Sequence, residues 1–206
     1  GGVWIPATDD YVVEPQDGFD VVSTIDMHLQ DVASRALQDQ LVRHNAAWGT
    51  VVLMEVNTGK IRAISNLTRT GDGKDLNGAD PEYLESYNHA IGTAVEPGST
   101  FKLATIMAAM EAGLTPETIL ETGNGITYFY GKPMRDSNFA QGGHGDITLA
   151  EAFEVSSNIG TAMAITQAFG NDQQAFLDAL ASIGVADRTG IRLTGEAEPL
   201  VYRTVG

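Results

Sequence analysis

The stretch Thr50-Val51-Val52-Leu53-Met54-Glu55-Val56-Asn57-Thr58-Gly59-Lys60-Ile61-Arg62-Ala63-Ile64-Ser65 reads as two β-rich arms joined by a short turn. Aliphatic and β-branched residues fill both arms, and the turn places Gly59 where a hairpin asks for positive φ. A hairpin over residues 50–65 is the fixed point from which the rest of the chain is read. Before it, Leu29, Val32, Ala33, Ala36, Leu37 and Leu41 recur mostly at three- and four-residue spacing. That spacing predicts an amphipathic helix capped by Asp26, running to His44 and lying on the face of a sheet. Residues 1–23, with Ile5-Pro6, Glu14-Pro15 and Asp17-Gly18, read as a lead-in. After the hairpin, residues 67–82 carry Gly71-Asp72-Gly73, Asn77-Gly78 and Asp80-Pro81 and read as a long mobile loop. Asn66-Leu67-Thr68 matches a glycosylation triplet too common to carry weight.

The second half turns helical. A helix is expected from Ser99 to Ala112, stopped by Gly113 and Pro116. Phe101, Leu103, Ala104, Ile106, Met107, Ala108, Ala109 and Met110 leave it almost no polar face, so it is expected to be buried. Residues 121–147 alternate glycines with short β-like pieces. Thr148-Leu149-Ala150-Glu151 is a capping box that opens a third helix. A fourth spans 159–169, a fifth about 172–183, and Ser156-Ser157-Asn158 forms a connection expected to be buried between apolar neighbours Val155 and Ile159. Strands followed by helices without regular alternation favour an α+β fold.

Composition bounds the chemistry. Among 206 residues, 12 Lys plus Arg against 27 Asp plus Glu give a net charge of −15, which disfavours binding to nucleic-acid phosphates or anionic lipid. Zero cysteines exclude disulfides, thiolate metal sites and cysteine nucleophiles, and the four histidines, at 28, 44, 89 and 144, do not make a metal-binding spacing. Nothing in the sequence asks for a metal or a cofactor. His144, within Gly142-Gly143-His144-Gly145, reads as part of a flexible surface loop; Gly92–Ser99 lacks the Gly-Lys-Ser/Thr ending of a phosphate loop. No stretch is long and apolar enough to cross a membrane, and the first residues do not make a signal peptide.

Ser99 and Lys102, three apart after Pro97-Gly98, fall on one face at the start of a helix. Two readings stand side by side. As an N-cap, Ser99 would place Lys102 at N3, where a capping box wants Glu or Gln and the helix dipole disfavours a cation by ~0.3–1 kcal/mol. Alternatively, desolvation in an apolar helix lowers the lysine pKa, and a neutral amine beside a hydroxyl is a general base beside a nucleophile. The Ser99 N–H at the helix start would then donate to an oxyanion. Ser156-Ser157-Asn158 is either a polar connection between helices or a source of partners for Ser99 and Lys102.

Glu96-Pro97-Gly98-Ser99-Thr100-Phe101-Lys102 resembles the active-site segment of class B penicillin-binding proteins, the monofunctional peptidoglycan transpeptidases. In the same order, Thr24-Ile25-Asp26 with Leu29-Gln30 is similar to the family's opening segment, Thr58-Gly59-Lys60-Ile61 with Ala63 to its hairpin, Ser156-Ser157-Asn158 to its Ser-x-Asn motif, and Thr189-Gly190-Ile191 with Gly195-Glu196 to the segment beyond. The resemblance spans roughly residues 20–198. It implies the penicillin-binding protein and serine β-lactamase fold, an antiparallel sheet with flanking helices and a helical lobe, with residues 24–206 as a partial transpeptidase domain.

Carried over by position, the resemblance implies that Ser99 attacks the D-Ala-D-Ala carbonyl of a stem peptide and Lys102 takes its proton. Ser156 would relay a proton to the leaving amine, Asn158 would hold Lys102 and the substrate amide, and an amine of a neighbouring strand would receive the acyl group. β-Lactams would acylate Ser99, and other cell-wall synthesis proteins would be partners. The site would lie outside the cytoplasm, tethered by an upstream transmembrane helix. One departure stands out: the family's Lys-Thr-Gly or Lys-Ser-Gly motif is absent, and Leu193-Thr194-Gly195 lacks the cation. The expectation is a domain cut before its last sheet strands, which alone need not be active. A serine β-lactamase, or a non-catalytic penicillin-binding sensor or scaffold, are the alternatives within the superfamily.

Overall fold

The structure, a computed structural model, describes residues 17–71 and 82–205. They divide after Ala90 into two compact units.

In the first unit the expected hairpin is present. Strand β1 (Trp48–Met54) pairs antiparallel with β2 (Ile61–Arg69), and β3 (Tyr83–Glu85) joins the other edge of β2, giving the order β1-β2-β3. Residues 67–69 therefore belong to a strand, not to the loop expected over 67–82. Leu67 is buried with Leu41 and Tyr83, and that tertiary burial outweighs the turn signals downstream. The rest of that expectation, over 72–81, and residues 1–16 of the lead-in lie outside the described residues.

Helix α1 (Met27–His44) starts as expected, the Asp26 carboxylate accepting from the backbone of His28 and Leu29 at 2.9 and 3.1 Å. It packs on the sheet with a face shifted from the apolar stripe: Leu29 and Val32 are exposed, while Gln30 and Ser34 turn inward. The cause is the open edge of β2. The Gln30 amide bonds both backbone groups of Ile64, at 2.8 and 2.9 Å, and Ser34 meets the fully buried Ser65 hydroxyl at 3.0 Å. Unpaired strand groups beneath a helix need polar partners, and that need takes precedence over the apolar pattern. A single helical turn, α2 (His89–Gly92), lies where the units divide.

The second unit holds a 3-10 turn (Gly98–Phe101), helix α3 (Lys102–Glu111), strands β4 (Ile119–Glu121), β5 (Ile126–Phe129), β6 (Lys132–Arg135) and β7 (Asp146–Thr148), then helices α4 (Leu149–Glu154), α5 (Asn158–Phe169) and α6 (Gln173–Ser182). β4 pairs with β7 and β5 with β6, both antiparallel. Thr148 and Glu151 make the expected capping box at α4, and Asp172 caps α6. The core between α3, α4 and α5 is made of Ile106, Ala109, Leu120, Leu149, Ala152 and Ala164. Its alanines let the helix axes approach closely.

The second unit departs from two expectations. Helix α3 is not buried all round: Leu103, Met107 and Met110, at four- and three-residue steps, form an exposed stripe, while its alanine-rich side faces the core. A helix apolar on every side can bury only the faces its neighbours cover. The glycines near His144 do not mark a flexible loop either. A Cβ on Gly143 would lie 2.2 Å from the backbone nitrogen of Gly125, so glycine is there for close backbone contact. Bonds from Gly143 N to Asn138 O and from Gly145 N to Gly123 O, at 3.2 and 2.9 Å, tie the segment down, and His144 is half-buried.

Candidate active site

The Pro97-Gly98 turn needs glycine, because Gly98 has φ of +61°. From it the chain enters the 3-10 turn that carries Ser99, closed by a bond from Thr100 Oγ1 to Pro97 O at 2.8 Å. The α-helical geometry begins only at Lys102, with Phe101 in the cap position and no side-chain cap bond. The N-cap reading of Ser99 therefore fails. Ser99 is exposed, and its hydroxyl makes no hydrogen bond to any described residue.

Lys102, half-buried, reaches across to the connection before α5. Its Nζ donates to the Ser156 carbonyl oxygen at 2.5 Å and to Ser156 Oγ at 3.0 Å. Burial pushes the Lys102 amine below the ordinary lysine value, against the opposing pull of the Asp136 carboxylate. A lysine so placed gives up its proton more readily than one in water.

Ser156 sits in an uncommon backbone state. Helix α4 ends in a Schellman motif: Ser157 N donates to Ala152 O at 2.9 Å and Ser156 N to Phe153 O at 3.1 Å. The left-handed position of that motif, normally glycine, is Ser156, with φ of +55°. A non-glycine residue there costs roughly 1–2 kcal/mol. The same twist presents both oxygens of Ser156 to Lys102.

The connection is only partly buried, contrary to expectation. Ser157 is buried, while Ser156 and Asn158 are exposed. Ser157 caps α5, its Oγ accepting from Gly160 N at 2.8 Å. The Asn158 amide donates to Arg135 O at 2.8 Å, so it ties the connection to β6 and makes no bond to Lys102. The fold thus joins Lys102 to Ser156 directly, sets Asn158 beside them at the head of α5, and places Ser99 one turn before Lys102.

Asp136, just after β6, is the residue the sequence did not single out. It is 2% exposed, and its carboxylate accepts from Ser157 Oγ at 2.7 Å, Asn158 N at 2.6 Å and Ile159 N at 3.0 Å. A lone aspartate after a β-like run carries no local signal; only the fold brings it to Ser157. A cavity of about 790 Å³ opens beside Lys102 and Asn158, with Arg135 also in its polar lining and Phe129, Phe169 and Phe176 among its apolar walls; Ser99, Asp136 and Ser156 do not line it. Among the described residues no group of three His, Cys, Asp or Glu is placed to hold a metal ion.

The penicillin binding protein transpeptidase domain, as a family, matches residues 49–201. The chain belongs to that family. Among curated relatives it is 30% identical over 188 residues to the probable peptidoglycan D,D-transpeptidase PenA of Neisseria gonorrhoeae, and 28% identical over 189 residues to the peptidoglycan D,D-transpeptidase FtsI of Escherichia coli K12. Each match takes in 91% of this chain but 30% of the relative, so the chain spans under a third of these proteins' length. Among solved structures, penicillin-binding protein 2B of Streptococcus pneumoniae strain 5204 superposes with a TM-score of 0.71 at 23% identity, over 96% of this chain and 35% of that one. A peptidoglycan glycosyltransferase from Burkholderia ambifaria superposes at 0.66 with 25% identity, over 85% and 49%. The α+β arrangement of this transpeptidase domain, antiparallel sheets with flanking helices, is that of penicillin-binding proteins.

Proposed function

We propose that this transpeptidase domain serves a peptidoglycan D,D-transpeptidase that works through a serine acyl-enzyme on Ser99. The observation that carries the reading is the half-buried Lys102, bonded to Ser156 and one turn after an exposed Ser99 hydroxyl that bonds to no described residue. As a neutral amine, Lys102 gives its two hydrogens to the oxygens of Ser156 and keeps its lone pair for the Ser99 proton. Ser99 Oγ attacks the carbonyl of the penultimate D-alanine, and the Ser99 N–H, in the opening turn, donates to the oxyanion. Lys102 passes the proton through Ser156 Oγ to the leaving nitrogen, the C–N bond breaks, and D-alanine departs from an ester on Ser99. An amine of a second stem peptide then attacks the ester, its proton returns to Ser99 Oγ, and the cross-link is made.

Asn158, beside Lys102, is assigned to the substrate amide. β-Lactams, which present a strained amide in place of the D-Ala-D-Ala bond, acylate Ser99 by the same first step. Action on peptidoglycan places the domain outside the cytoplasm, held to the membrane by another part of the whole protein and working among other cell-wall synthesis proteins.

The test is the whole protein incubated with glycan strands bearing pentapeptide stems. D-alanine release with cross-linked product, both lost in Ser99→Ala, is the expected result. Cross-linking that persists in Ser99→Ala, or fast β-lactam hydrolysis without any cross-link, contradicts it.

A further inference from the structure

Ser157 caps helix α5 through the Gly160 N–H alone, and a neutral acceptor would serve for the remaining N–H groups of its first turn. Yet the chain buries a carboxylate there, from a segment more than 20 residues upstream, although a buried charge is unfavourable unless it is fully hydrogen-bonded. Asp136 offsets that cost with three donors from both sides of the Ser157–Asn158 peptide: one oxygen takes the Ser157 hydroxyl, the other the amides of Asn158 and Ile159. With the Asn158 side chain on Arg135 O, the end of β6 is fastened to the Ser156-Ser157-Asn158 connection at successive points. No Lys or Arg forms a salt bridge with Asp136 among the described residues. We propose that Asp136 is a positioning residue for the reaction of Ser99, its buried carboxylate fixing the connection that sets Ser156 and Asn158 beside Lys102.

This inference rests on the function proposed above, and it assigns Asp136 no contact with substrate. It acts in two ways. It holds Ser157, and through the next peptide bond Ser156, so that the left-handed Ser156 keeps both oxygens on Lys102. It also places a fixed negative charge near Lys102, favouring the protonated form against the burial that lowers it. The cavity that Lys102 lines carries two further charged groups, Arg135 and Asp172.

Second-order acylation by benzylpenicillin, measured on the whole protein by quenched mass spectrometry from about pH 5 to 10, tests it. Asp136→Asn keeps the size of the side chain and an acceptor for the two amides, and removes the charge. Acylation is expected to slow by about tenfold or more from misplacement. The acid limb of its pH profile is expected to move to lower pH, since Lys102 loses its proton more easily without a neighbouring anion. A purely structural role would leave that limb in place. Ser157→Ala keeps the charge and removes one tether; it is expected to slow acylation with the limb unmoved, and it decides by rate alone should Asp136→Asn not fold. A wild-type adduct with both variants reacting within about twofold of wild type at every pH overturns this inference alone. A wild-type protein that takes no adduct overturns the proposed function, and this inference with it.

Discussion

Lys102 Nζ lies 2.5 Å from the carbonyl oxygen of Ser156 and 3.0 Å from its hydroxyl, joining the start of α3 to the end of α4 across 54 residues. That pair decides what the site can do, because a lysine is a base only when something keeps its amine neutral and aimed. Burial lowers the amine's pKa and so favours the first condition, and Ser156 supplies the second.

A base must be unprotonated to act, so acylation rises with pH and levels off above the lysine pKa in the folded protein. Because burial lowers that pKa, the plateau is expected below the range of an ordinary lysine. Lys102→Arg keeps the charge but cannot lose its proton, and is expected to acylate roughly 10²–10⁴-fold more slowly at every pH. A pH–rate profile of acylation for both proteins checks this. A limb at the ordinary lysine pKa, or an arginine variant near wild-type rate, would count against Lys102 as the base.

Ser156 holds a position that glycine occupies at little conformational cost. Ser156→Gly is therefore expected to raise stability by up to about 1 kcal/mol while slowing acylation, through loss of the hydroxyl that receives Lys102. Denaturant unfolding alongside the acylation rate measures both. A variant that is less stable, or fully active, contradicts the assignment of strain kept for function.

Gly160 is tight against its surroundings: a Cβ there would lie 2.7 Å from the Ala152 Cβ and 3.0 Å from Ser157 Oγ. Gly160→Ala is expected to push α5 off α4, at about 1–3 kcal/mol, and to slow acylation because Ser157 moves with it. Unchanged unfolding and unchanged acylation in this variant would mean that the α4–α5 contact is looser than described.

Gly143 tests the reading of the glycine-rich segment. With a Cβ 2.2 Å from Gly125 N and φ of +76°, Gly143→Ala combines a backbone clash with an unfavourable dihedral. A loss of more than about 1 kcal/mol is expected in denaturant unfolding. A neutral substitution would restore the flexible-loop reading.

What could be read from the sequence was local. The 50–65 hairpin, the Asp26 cap and the Thr148–Glu151 capping box each declare themselves within a few residues, and each is present. Ser99, Lys102, Ser156 and Asn158 could be named from their spacing and the family resemblance, but their geometry could not. Ser99 was open to reading as a cap because a 3-10 turn and the first turn of an α-helix look alike in sequence. Asp136 stayed hidden because its partners lie more than 20 residues on. The inward face of α1 departs from the apolar stripe for a related reason: Gln30 and Ser34 answer the unpaired edge of β2, which helix periodicity does not encode.

The most direct test of the central claim is the intact mass of the whole protein after exposure to benzylpenicillin, wild type beside Ser99→Ala. A stable one-to-one adduct on the wild type, mapped to Ser99, and none on the variant, is the expected result. A folded wild-type protein without an adduct, or an adduct that survives Ser99→Ala, would contradict it.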